Sequence, residues 1–83
     1  MSHMREDFIK ASELQFKAHI EKHRVNLKNL LNNTVGVAEH PDMMETIEKE
    51  LAIIADYEDK LNVLEKYFTD KSLEKDSKKV LNG

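Results

Sequence analysis

Two apolar stripes at helical spacing, separated by a single break, constrain this chain more than any other feature. The first runs through Ile9, Phe16, Ile20, Leu27 and Leu30, with His23 on the same side. The second runs through Met44, Ile47, Leu51, Ile54, Leu61 and Phe68. Side chains recurring at three- and four-residue steps share one side of a helix. The break, Asn32 to Asp42, holds Gly36, the one internal glycine, and Pro41, the one proline. The pattern predicts an all-α fold, an antiparallel helical hairpin over residues 5–70. Helix 1 is expected over about 5–31, a loop over 32–41 and helix 2 over about 42–69. The tail, 71–83, has only Leu73, Val80 and Leu81 as apolar residues. It is expected to fray or to form a short third helix.

Local chemistry sets these limits. Asn32 and Asn33 tolerate left-handed backbone and end helices. Pro41 disfavours a helical His40 and suits the first turn of the next helix. Asp42 followed by Glu45 has capping-box spacing. Val35, Val37 and Ala38 are expected to tuck onto the hairpin end. Ser2-His3-Met4 reads as the remnant of a cleaved tag, with Met4 as the native start, so His3 is given no functional role.

Helix 1 carries apolar residues on two sides. Ile9, Phe16, Ile20, His23, Leu27, Leu30 and Leu31 fall on one side, and Ala11, Leu14, Ala18 and Val25 on the other. A surface helix normally has one apolar side. In helix 2, Ile47, Ile54, Leu61 and Phe68 repeat every seven residues. Met44 and Leu51 fill the alternating position, which then passes to Glu58 and Glu65 while Tyr57 and Leu64 take over on the flank. Leu27, Leu51 and Leu61 are expected in the seam. Folding the chain about its loop brings together positions whose numbers add to about 74. Phe16 and Lys17 then meet Glu58, and His19 meets Ala55 or Asp56.

At 83 residues the chain has room for one small domain. Domains of that size rarely gain more than roughly 3–5 kcal/mol from one core. With no cysteine, neither disulfides nor thiolate metal sites can add to it. Association is the remaining remedy, and two such hairpins would make an antiparallel four-helix dimer. Leu14, Val25, Ile53, Val63 and Tyr67, which the seam does not use, are the expected contacts with the second copy or with another protein. Tyr67 leads them, because tyrosine is enriched at energetically dominant contacts.

Charge is unevenly placed. Residues 5–33 sum to +2, residues 39–70 to −7 and the tail to +2, giving the overall −3. A basic helix beside an acidic one favours their pairing. The same basic residues, Arg5 to Lys28, are the argument for a nucleic-acid partner. Against it stand the acidic total and the lack of an aromatic stacking platform. His19 and His23, four residues apart, share a helix side as a metal site requires. His40, Glu39 and Asp42 lie about 10–15 Å further on, so a complete site needs ligands from elsewhere, and no cofactor is expected. The alternative for His23 is a half-buried ring hydrogen-bonded across the hairpin. No acid, base and nucleophile form a recognisable constellation, so no enzyme is expected. No apolar run reaches the roughly 18 residues of a membrane span.

The segments Val35-Gly36-Val37-Ala38-Glu39-His40-Pro41-Asp42 and Ala55 to Phe68 resemble small helical proteins of tailed phages, particularly those infecting marine cyanobacteria. The resemblance covers the loop and helix 2, about half the chain. That family has no assigned activity, so no residue role is carried over. The resemblance implies a protein of the bacterial cytoplasm during infection that binds a phage or host protein.

Overall fold

The computed structural model describes residues 3–33 and 42–70. They form two helices, α1 (His3–Asn32) and α2 (Met43–Phe68), packed along one another as a hairpin. At 1.5 Å per residue these are rods of about 45 Å and about 39 Å. No glycine or proline falls within either. The expectations for Val35, Val37 and Ala38, for Gly36 and Pro41, and for a third helix in the tail lie outside the described residues.

The ends are satisfied differently from expectation. Asp42 precedes α2 with φ −85° and ψ 3°, and its side chain makes no capping bond. A side-chain cap needs extended backbone at that position. Instead the Asp42 carbonyl accepts from the Thr46 amide at 3.0 Å and from its hydroxyl at 3.1 Å. No described residue has positive φ, so neither Asn32 nor Asn33 takes the left-handed backbone. The Asn33 side-chain amide donates to the Asn29 carbonyl at 2.9 Å, satisfying one of the last turn's free acceptors. At the far end of α2 the Thr69 hydroxyl donates to the Glu65 carbonyl at 2.7 Å.

The seam on α1 follows the sequence: Ile9, Phe16, Ile20, His23, Leu27 and Leu30 are half-buried. Leu31 is not among them; it is 53 % exposed. On α2 the repeat is half-buried at Ile47, Ile54 and Leu61 but exposed at its last member, Phe68, and the column beside it is Met43, Glu50, Tyr57 and Leu64. Met44 and Leu51 face solvent, 75 % and 52 % exposed. The helix is rolled by about 50° from the expected orientation at 100° per residue. The register also differs by one. Arg5 with Phe68, Phe16 with Tyr57 and His23 with Glu50 all have numbers adding to 73. Tyr57, not Glu58, therefore meets Phe16, and His19 meets Tyr57 rather than Ala55 or Asp56.

Among the described residues no side chain is fully buried. Two helices share one line of contact, so every seam residue keeps an open edge.

The roll predicts two different outcomes for neighbouring leucine and isoleucine positions. Ile54→Ala is expected to cost about 2 kcal/mol, the low end for a large apolar truncation. Leu51→Ala is expected to stay within about 0.5 kcal/mol, as exposed positions do. Urea unfolding followed by circular dichroism reads both.

Candidate interaction surface

Besides the Arg5 guanidinium's 3.4 Å hydrogen bond to the Phe68 carbonyl at the open end, a side-chain pair crosses the seam. His23 Nδ1 and Glu50 Oε2 lie 2.7 Å apart, and their side chains are only 15 % and 16 % exposed. An ionised carboxylate accepts and cannot donate, so the imidazole supplies its Nδ1 proton. Neither residue can move outward without leaving the other desolvated and unpaired, which is the costly state. Glu50 was not singled out in the sequence, where it reads as one acidic residue among many. Its signal is relational: it stands three residues from Ile47 and four from Ile54, opposite the only histidine of the α1 stripe.

One turn toward the open end, His19 stacks on Tyr57 with centroids 4.4 Å apart and planes 9° apart. Phe16 meets the same ring at 6.1 Å. From outside, the Lys60 ammonium lies 4.8 Å from the Tyr57 centroid and 3.0 Å from Asp56 Oδ2. The Asp56 hydrogen bond, with its charge, holds the Lys60 pKa above the ordinary lysine value. On α1, the Arg24 hydrogen bond holds the Glu21 carboxyl below its usual range. Both pairs are exposed and contribute little to folding.

His19 and His23 are thus engaged with Tyr57 and Glu50. No group of three or more potential metal ligands comes together among the described residues. His40 and Glu39 lie outside those residues. The basic residues of α1 face a strongly acidic neighbour. Residues 3–33 carry six Lys and Arg against four Asp and Glu, a net +2, while residues 42–70 carry three against nine, a net −6. No described helix is long and apolar enough to cross a membrane.

The five sequence-selected contact residues fall into two groups. Val63 and Tyr67 lie exposed on one flank of α2, at 44 % and 61 %. Ile53 shares that flank but is half-buried beside the seam, so it is not a free outer residue. Leu14 and Val25 are exposed on the back of α1. The wheel then resolves two outer stripes at alternating steps of four and three. On α2 it is Ile53, Tyr57, Lys60, Leu64 and Tyr67. On α1 it is Met4, Phe8, Ala11, Gln15, Ala18, Lys22 and Val25. Leu14 falls just outside. Met4 and Phe8, 63 % and 66 % exposed, were missed because the opening residues read as a tag scar and a helix start.

Both stripes open onto the same face. Lys22 of one and Ile53 and Tyr57 of the other line a single groove with His19, His23 and Asp56. The opposite groove is lined by Lys17, Glu21, Glu58 and Asn62 around Ile20 and Leu61. Both grooves mix charged and apolar side chains, and Met44 and Leu51 stand exposed on this second side.

Neither a family model, a curated protein nor a solved structure matches the chain.

The His23–Glu50 contact generates a specific pattern of variants. His23→Ala or Glu50→Ala is expected to lower stability by about 1–3 kcal/mol, the cost of leaving the remaining partner desolvated and unpaired. Replacing both by leucine is expected to recover most of that loss, since the desolvated polar atoms go together. Chemical denaturation of the three variants checks it.

Proposed function

We propose that this protein is a non-enzymatic protein–protein interaction module that works as a self-associated helical bundle. The observation that carries the reading is the combination of no fully buried side chain among the described residues with two continuous outer stripes. A hairpin of this size gains little from a single line of contact. Covering a second face supplies the missing burial, at roughly 25 cal/mol per Å² of apolar surface. The first occupant of that face is a second copy of the chain, giving a four-helix dimer. Leu14 and the exposed Leu51 and Met44 remain outside it as contacts for a different protein.

The non-enzymatic reading rests on the engagement of the seam's titratable groups with one another and on grooves that stay open along their length. The resemblance of the loop and of Ala55 to Phe68 to tailed-phage proteins extends the proposal. The module would then be an accessory protein of the infected bacterial cytoplasm, with a phage or host protein as its further partner.

Sedimentation equilibrium at micromolar concentration is expected to give twice the 9.7 kDa chain mass. Helicity is expected to fall together with mass on dilution. A fully helical monomer at every concentration would exclude self-association.

A further inference from the structure

We propose that His19 and His23 form an open two-imidazole site for a divalent first-row metal ion such as zinc, with Glu50 as its positioning residue. Both ligands come from a single chain, so the site stands whether or not the protein self-associates. Three observations carry it: the spacing of the two rings, the groove they share, and the hydrogen bond that fixes one of them.

His19 and His23 are four residues apart within α1. Side chains at that spacing lie one above the other on a helix, with Cβ atoms about 5–6 Å apart. Two imidazoles so placed can reach a single ion at bond lengths of about 2.0–2.1 Å. Both rings are half-buried, and both line the groove that Tyr57 and Asp56 border from α2.

The contact between His23 and Glu50 decides which nitrogen is available. Nδ1 gives its proton to Glu50 Oε2 at 2.7 Å. In the neutral ring Nε2 then carries a free lone pair. A carboxylate behind an imidazole is also the arrangement that orients a metal-ligating histidine and raises its basicity. His19 meets Tyr57 through its ring face, with centroids 4.4 Å apart. Neither of its nitrogens is hydrogen-bonded among the described residues. The stack restricts the ring without occupying its donor atoms.

Imidazole suits zinc, copper and nickel alike. Asp56 borders the same groove, but its carboxylate is held by Lys60 at 3.0 Å. No third ligand gathers with the two histidines among the described residues, so water completes the shell. The site is thus unlike the closed four-ligand centres that hold small domains together. Lys22, also at the groove, is exposed and can keep its ammonium in water, away from the ion.

The test is calorimetric titration with zinc chloride of the full chain carrying His3→Ala and His40→Ala, which retains His19 and His23 as its only histidines. One zinc ion per chain is expected to bind and to raise the thermal midpoint until a chelator removes it. His19→Ala, which leaves the His23–Glu50 pair in place, is expected to abolish both effects. Glu50→Gln keeps an acceptor for the Nδ1 proton. It is expected to weaken zinc binding at least about tenfold while circular dichroism shows the helices intact. No heat of binding and no change in the midpoint would overturn the proposal. So would binding that survives His19→Ala, because other groups would then hold the ion, and so would one ion per two chains. Unchanged affinity in Glu50→Gln would overturn the positioning role of Glu50.

Discussion

The hydrogen bond between His23 and Glu50 decides how α2 is rolled about its axis. A glutamate in a helix seam loses water, and without a partner that loss is costly. Set against His23 at 2.7 Å, it is satisfied while remaining 16 % exposed. The roll that makes this pair sends Met44 and Leu51 to solvent and draws Tyr57 and Leu64 inward. It also places Ile53 and Tyr57 in the groove that α1 shares through Lys22. The proposed interaction surface and the polar pair are therefore consequences of one rotation. Such a pair acts more on register than on net stability.

The two helices, their hairpin arrangement and the α1 seam are legible in the sequence. The absence of glycine and proline, the break at Asn32 to Asp42 and the recurrence of Ile47, Ile54 and Leu61 suffice for that. The second column of the α2 seam is not legible. Residue by residue, Met44 and Leu51 look better buried than Met43 and Glu50. The choice turns on a pair, since one column ends in Glu58 and Glu65 while the other holds one carboxylate opposite an imidazole. Hydropathy scores single residues and cannot register that complementarity. The register is a separate matter: the midpoint of the loop sets a sum of about 74, one more than the 73 that pairs Phe16 with Tyr57 instead of Glu58. Of the selected contact residues, Val63 and Tyr67 keep their exposure because their flank lies outward in either roll. Ile53 does not, because the observed roll carries it toward the seam.

The hairpin divides its physical tasks between its two sides. The side of Lys17, Glu21 and Glu58 sets charged residues around Ile20 and Leu61 and also leaves Met44 and Leu51 exposed. The side of Tyr57 presents stacked rings, aliphatic side chains and small alanines. A chain with no fully buried residue among those described has not finished burying its apolar surface within itself. In the proposed dimer, folding and association would draw on the same residues, Tyr57 and Leu64 belonging to both the seam and the outer stripe. Coupling of that kind makes stability depend on concentration.

The roll of α2 is the central claim, and methyl nuclear Overhauser effects measure it directly. With selectively labelled isoleucine and leucine methyls, Ile54 is expected to show cross-peaks to Ile20 and His23 on α1. The Tyr57 ring is expected to show them to Phe16 and His19. Leu51 is expected to show none to α1. Cross-peaks from Leu51 methyls to Ile20 or Leu27, with none between Tyr57 and Phe16, would contradict the account, because they would put the other column in the seam and leave Glu50 in water.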